Sequence, residues 1–144
     1  MIAVNKNNES FTTGESWTNR AQGYMSSPVL IGNHVYLHLR NQRFTCIGLE
    51  NGDTKWTSKP FGKYCSLIAN KNQILALDER GDLLHINATP EKFDLVESRK
   101  ISDEPSWAHL AVSGNQIFVR ELKALTCYSW KTPEVGNAGI KGRQ

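Results

Sequence analysis

The chain repeats itself with a period of 39 residues, and this repeat limits the possible folds more than any other feature of the sequence. Trp17 and Trp56 stand 39 positions apart, and each is followed at once by Thr and, six residues later, by Gly. The segment 33–37 recurs with the same spacing at 72–76, and a third copy follows 43 residues later at 115–119. A period near 40 residues predicts a fold assembled from stacked copies of one structural unit.

Each copy contains short β segments that are bounded by turn residues. Asn51 and Gly52 form a strong hairpin signal because both residues tolerate a positive φ. No stretch shows a sustained helical period. A four-stranded antiparallel unit of about 40 residues is the signature of a β-propeller blade, so we predict an all-β fold that forms a partial β-propeller. In the copy that carries this hairpin, the predicted strands lie at 29–31, 35–39, 44–49 and 54–57.

The repeat divides the chain into about two complete and two incomplete blades. The predicted units are a partial blade at 1–20 with strands at 2–4 and 15–19, complete blades at 27–58 and 65–101, a three-stranded blade at 107–130, and a flexible tail at 131–144. A closed ring needs at least four blades, or about 160 residues, so we expect the C-terminal portion of a larger propeller. A short protein that closes its ring by oligomerising is the alternative. If the chain exists alone, it should form an open arc whose exposed strand edges favour association or aggregation.

The run from Gly48 to Trp56 carries a resemblance to a known family. It contains a hydrophobic strand end, an acidic residue, a Gly turn at Gly52, and a Trp four residues after that Gly. This pattern resembles the repeat of the pyrroloquinoline-quinone (PQQ) dehydrogenase-like propellers, also called quinoprotein alcohol dehydrogenase-like. The resemblance implies that Trp56, and by its place in the repeat Trp17, docks against the adjacent blade. The corresponding turn at 87–93 departs from the motif and is similar to non-catalytic members of the outer-membrane assembly lipoprotein type.

The resemblance implies a function but leaves two classes open. The preferred hypothesis is a non-catalytic binding or scaffold segment of a larger bacterial envelope protein, periplasmic or otherwise extracytoplasmic. The alternative is a fragment of a PQQ-dependent oxidoreductase, which would need PQQ, a bound calcium ion, a catalytic carboxylate and often a vicinal disulfide. The sequence contains no adjacent Cys pair and no acidic cluster in the matching inner loops. We therefore expect no catalytic, cofactor-binding or metal-binding residues.

Composition excludes several classes of partner. Lys and Arg outnumber Asp and Glu by only 17 to 14, and the charge is spread along the chain, so a nucleic-acid footprint is not indicated. No apolar run approaches the roughly 18 to 20 residues of a membrane span. We expect a protein or small ligand to bind through a face of the propeller.

The position just before the first strand of each blade carries a large side chain in register: Met25, Tyr64 and Trp107. In a propeller this strand lies nearest the central channel, so Tyr64 and Trp107 are candidates for a channel-facing binding surface. Packing in the inner core is the favoured interpretation of this position. His109 and Arg120, near the inner strands of the last repeat, are similar candidates.

Other reactive side chains favour structural roles. His34 and His38 share a face of a strand but lie about 13 Å apart, too far to bind one ion. Cys46 and Cys127 occupy equivalent positions two blades apart, where no disulfide is possible and burial is expected. The carboxylates around the Gly81 turn, Asp78, Glu79 and Asp82, are predicted to form a solvated hairpin rather than a catalytic acid pair.

Overall fold

The computed structural model describes residues 1–130, and within that range it contains strands and turns without a helix. No helix in this part of the chain therefore has the length and apolar character needed to cross a membrane. The flexible tail predicted for 131–144 lies outside the described residues. The strands are β1 (Ile2–Asn7), β2 (Ser10–Glu15), β3 (Val29–Ile31), β4 (His34–His38), β5 (Phe44–Gly48), β6 (Thr54–Thr57), β7 (Cys65–Asn70), β8 (Gln73–Asp78), β9 (Asp82–Asn87), β10 (Asp94–Lys100), β11 (Ala111–Ser113), β12 (Gln116–Arg120) and β13 (Leu125–Ser129).

The strands form four antiparallel sheets in which sequence neighbours pair. Two four-stranded meanders, β3 to β6 and β7 to β10, stand between the hairpin β1–β2 and the three-stranded sheet β11 to β13. We refer to these sheets, in chain order, as blades 1 to 4. The prediction of an all-β partial propeller with two complete and two incomplete blades is confirmed.

Blade 1 differs from the predicted strand positions. Its strands pair from Ile2↔Glu15 to Asn7↔Ser10 around a two-residue turn. The second strand therefore ends at Glu15, where the sequence analysis placed its start. The tight turn at Asn8-Glu9 brings the two strands together early and leaves the segment 16–22 free to run along blade 2.

Apolar side chains fill the spaces between blades. One cluster lies between blades 2 and 3 and a second between blades 3 and 4. Fully burying such a side chain stabilises the fold by about 1.5 to 3 kcal/mol, so contact between blades is a main source of stability. The first cluster contains Tyr36, Phe44, Cys46, Cys65, Leu67, Ile74, Ala76, Leu84 and Ile86, and the second contains Leu77, Leu110, Ile117 and Val119.

The predicted burial of the two equivalent cysteines holds for Cys46 and is wrong for Cys127, which is exposed. Cys46 lies on β5, between β4 and β6. Cys127 lies on β13, the edge strand of blade 4, where no fourth strand of the described chain covers it.

Two tryptophans join successive blades by the same kind of contact. Trp17 Nε1 donates a hydrogen bond to the Leu49 carbonyl at 2.7 Å, and Trp56 Nε1 donates one to the Thr89 carbonyl at 2.8 Å. Gly52 lies directly against the Trp17 indole. A Cβ built on Gly52 would be 2.4 Å from Trp17 Cε3, and its φ of +76° also favours glycine. The Trp17 side chain and the positive φ of residue 52 thus both require glycine at this blade contact.

Antiparallel meanders place alternate connections at opposite ends of the blades. We name the end that carries 20–28, 39–43, 58–64, 79–81, 101–110 and 121–124 the upper face. The lower face carries 32–33, 49–53, 71–72, 88–93 and 114–115. Loops that are distant in sequence therefore meet on each face.

Candidate functional site

The structure brings Tyr64 and Trp107, two of the four channel-facing candidates, together on the upper face. The rings of Tyr64 and Trp107 stack with centroids 5.9 Å apart and planes 24° apart. Tyr64 is buried, whereas Trp107 is 43% exposed. His109 is exposed but does not line the clefts described below, and Met25 is exposed as well. Tyr64 thus packs in the interior, whereas Trp107 is partly exposed on the upper face, and its role in binding stays a prediction.

Trp107 lines a shallow cleft of about 250 Å³ that we call the aromatic-cationic cleft. Its other lining residues are Tyr24, Arg40, Gln42 and Lys63, which come from three different loops. A second shallow cleft of about 270 Å³ lies next to it, and Arg40 lines both. The second cleft is lined by Arg20, Ala21, Gln22, Leu39, Arg40 and Asn41.

A buried carboxylate holds two walls of the aromatic-cationic cleft in place. Glu79 Oε2 accepts the backbone N–H of Lys63 at 2.7 Å and that of Tyr64 at 3.1 Å. The Glu79 carbonyl accepts the N–H of Ser106 at 3.0 Å, next to Trp107. Glu79 therefore fixes the backbone beside both Lys63 and Trp107.

The third wall is a tight turn of the backbone. Gln42 adopts a φ of +67°, and its N–H donates to the Leu39 carbonyl at 2.9 Å. Its carbonyl accepts the Phe61 N–H at 2.7 Å, while the Arg40 N–H donates to the Gln22 carbonyl at 2.7 Å. These bonds fix the turn that carries Arg40 against the two neighbouring loops.

The hairpin predicted around Gly81 is present between β8 and β9, but the prediction that its carboxylates are solvated is wrong for Asp78 and Glu79, which are 1% and 8% exposed. Asp78 Oδ1 accepts the N–H groups of Arg80 and Asp82 at 2.9 and 3.0 Å. Its Oδ2 lies 3.1 Å from the Arg80 guanidinium. These hydrogen bonds offset the burial of the two carboxylates, which hold the turn. Neither is free to act as a general base in the cleft.

His38 is also a structural residue. It is buried, its ring packs edge-on against Phe61, and Nε2 lies 2.9 Å from the Phe61 carbonyl. That contact requires the proton on Nε2, and it leaves Nδ1 buried without a hydrogen-bond partner. Burial lowers the pKa of His38, against the opposing effects of the Phe61 carbonyl and of Glu79 and Asp78. The imidazole is therefore neutral near pH 7.

The described residues offer little other chemistry. Burial raises the pKa of the Cys46 and Cys65 thiols, so neither is an activated nucleophile. Within residues 1–130, no three His, Cys, Asp or Glu side chains group in a way that could hold a metal ion.

A larger cleft of about 630 Å³ lies between blades 2 and 3, also toward the upper face. Phe61 and Phe93 stack in its wall with centroids 5.7 Å apart, and Lys59 and Arg80 lie at its polar side. Neither this cleft nor the contribution of Tyr24, Arg40, Gln42 and Lys63 to the aromatic-cationic cleft was predicted from the sequence. One usable signal was present: the loops 20–28, 39–43 and 58–64 contain no Asp or Glu.

Known proteins resemble this chain in fold more than in sequence. No family model matches the chain, and no curated protein matches it by sequence. Among solved structures, BamB from Moraxella catarrhalis matches with a TM-score of 0.61 and 10% identity over 79% of this chain and 40% of its own. A europium-containing methanol dehydrogenase matches with a TM-score of 0.54 and 16% identity over 71% of this chain and 22% of its own. The computationally designed Ika8 protein matches with a TM-score of 0.55 and 10% identity over 72% of this chain and 32% of its own.

The chain thus spans less than half the length of each of these three structures. At these identities, the likeness shows the fold alone. The resemblance to the PQQ-dehydrogenase-like propellers is confirmed at that level, since the chain has the fold of part of such a β-propeller.

Proposed function

We propose that the chain is a non-catalytic part of a β-propeller that binds a protein or small ligand through its upper face. The observation behind this proposal is the contrast between the cations that line a cleft and the carboxylates that are buried on this face. The cations Arg40 and Lys63 and the ring of Trp107 line an open cleft, whereas the carboxylates Asp78 and Glu79 are buried in hydrogen bonds to the backbone. The aromatic-cationic cleft thus offers groups for recognition, and its lining contains no carboxylate or histidine that could act as a general acid or base.

The proposed setting is a larger bacterial envelope protein outside the cytoplasm. Two observations support it: the likeness in fold to BamB, and the turn at 87–93, which is similar to that of the non-catalytic lipoprotein type. The chain spans 40% of BamB, so the remaining blades of such a protein would come from elsewhere.

The second candidate is a fragment of a quinoprotein oxidoreductase, favoured by the likeness in fold to a methanol dehydrogenase. An exposed indole and two cations suit a planar, acidic quinone. The described residues do not fit the metal that accompanies it: within residues 1–130 no three His, Cys, Asp or Glu side chains group together, and the buried carboxylates of Asp78 and Glu79 are engaged with the backbone. The fit to the quinone-metal pair is therefore incomplete.

Equilibrium dialysis of the chain with PQQ and Ca²⁺, followed by a dye-linked assay of methanol oxidation, separates the two candidates. The proposal predicts no saturable binding of PQQ above that of a heat-denatured control, and no dye reduction. Saturable binding that is lost in Trp107→Ala, together with dye reduction, would refute it and support the oxidoreductase.

A further inference from the structure

Charge is distributed unevenly between the two ends of blade 2. The upper loops 20–28, 39–43 and 58–64 carry five cationic residues and no Asp or Glu, although the whole chain has a net charge of only +3. The lower loops of blade 2, 32–33 and 49–53, carry two carboxylates and no Lys or Arg, and the lower loops of blade 3 add one carboxylate and two lysines. On the upper face, the loop 101–110 adds Asp103 and Glu104, so the purely cationic part of that face belongs to blade 2. The upper cations are Arg20, Arg40, Arg43, Lys59 and Lys63, and the charged lower residues are Glu50, Asp53, Lys71, Glu91 and Lys92.

Within residues 1–130, the cations that line the two small clefts form no ion pairs. The ion pairs among the described residues involve Arg80, Lys92, Arg99, Lys100 and Lys123. Arg20, Arg40 and Lys63 form none within residues 1–130. Like charges held close together on a rigid face repel one another and favour an anionic partner.

The shape of the surface indicates what kind of anion fits. Two shallow clefts of about 250 and 270 Å³ share Arg40, and each is smaller than a usual small-molecule pocket of roughly 300 to 1,000 Å³. Adjacent small pockets suit an extended peptide that places successive side chains in successive pockets. The sequence pI of 8.8 is below the value above 9 that is typical of a nucleic-acid-binding domain.

We infer that the upper face binds an extended acidic peptide segment of a partner protein. Its carboxylates contact Arg40 and Lys63, and a neighbouring apolar or aromatic side chain packs on the exposed ring of Trp107. Arg40 accepts a carboxylate through a planar fork, and Lys63 acts as a compact point charge. The inference rests on the proposed function, that this face binds rather than catalyses.

Fluorescence anisotropy with a labelled 12-residue peptide of alternating Glu and Leu, ending in Trp, tests the inference. The variant R40E/K63E reverses two upper charges, and the matched control K71E/K92E makes the same change in net charge on the lower face. We expect saturable binding that weakens at least tenfold in R40E/K63E and less than twofold in the control. A Lys-for-Glu peptide should not bind. Circular dichroism checks that each variant is folded, and the milder R40A/K63A should give an intermediate loss.

Three results would overturn the inference: no binding of the acidic peptide, equal weakening in both double variants, or tighter binding of a single-stranded oligonucleotide of the same charge. The PQQ dialysis on the same samples separates this failure from that of the proposed function. If neither peptide nor PQQ binds, only the choice of ligand is wrong. If PQQ binds and dye is reduced, the non-catalytic proposal is wrong as well.

Discussion

The contact between blades 1 and 2 gives the sharpest stability prediction. Replacing Gly52 with Ala forces a residue with a Cβ to keep a φ of +76°, which costs about 1 kcal/mol. The new Cβ would stand 2.4 Å from Trp17 Cε3, so the indole must move. That movement breaks the hydrogen bond from Trp17 to Leu49, worth about 1 kcal/mol, and loses part of the indole packing, worth about another 1 kcal/mol.

We therefore expect Gly52→Ala to lower the free energy of unfolding by about 3 kcal/mol, measured by urea titration with tryptophan fluorescence and circular dichroism. In a Trp17→Ala background the clash is gone, and the same change should cost only about 1 kcal/mol. Gly32→Ala is the matched control, because Gly32 also has a positive φ, +56°, but a Cβ added there would meet no atom within 4 Å. Its cost should be about 1 kcal/mol in both backgrounds.

The double-mutant cycle decides whether the indole is the cause. If Gly52→Ala costs the same with and without Trp17, the contact does not carry the effect. The reasoning that Trp17 fastens blade 1 to blade 2 would then be wrong.

Three further predictions concern other parts of the fold. Burial lowers the pKa of His38, so the unfolded chain binds a proton more readily than the folded chain, and the stability should fall as the pH drops below about 6.5. His38→Gln should flatten this dependence in urea titrations at pH 5 to 7.5, and an unchanged slope in His38→Gln would contradict the assignment. Glu79→Ala removes the acceptor of two buried N–H groups and should lower the free energy of unfolding by about 1 to 3 kcal/mol, whereas Glu79→Gln should lower it less. Wild-type stability in Glu79→Ala would contradict the role of Glu79 in fixing these loops. Leu125 is 71% exposed on the edge strand β13, so sedimentation velocity should show association at high protein concentration, and Leu125→Lys should reduce it. An identical profile for both proteins would show that association does not use this edge.

Most of the strand order could be predicted from the sequence, because the signals that define it are local. The hairpin at Asn51-Gly52 needs only residues that tolerate positive φ, and Gly52 has that conformation in the structure. The repeat then places the same elements one blade further on. The two four-stranded blades and the three-stranded blade 4 follow from these two signals.

The burial of Asp78 and Glu79 could not be predicted in this way. Their neighbours in sequence form a polar turn of the usual solvated kind, but Glu79 meets the N–H groups of Lys63 and Tyr64, 16 and 15 residues away. Which loop approaches which turn depends on how the blades stack. The predicted burial of Cys127 was wrong for a related reason, because its exposure depends on whether another strand covers β13.

The aromatic-cationic cleft escaped prediction because no local pattern contains it. Tyr24, Arg40, Lys63 and Trp107 come from four connections and meet only when three blades are in place. The repeat register of Tyr64 and Trp107 indicated part of this surface, because both residues precede the first strand of a blade. The lack of carboxylates in three upper loops was the other signal, and it becomes meaningful once these loops are known to share a face.

Hydrogen exchange of the chain with and without the acidic peptide tests the central claim most directly, since it reports which face is covered. If the upper face is the binding face, amides in 39–43, 61–64 and 105–108 should gain protection, while those in the lower loops 49–53 and 88–93 should not change. Protection confined to the lower loops, or equal on both faces, would contradict the account.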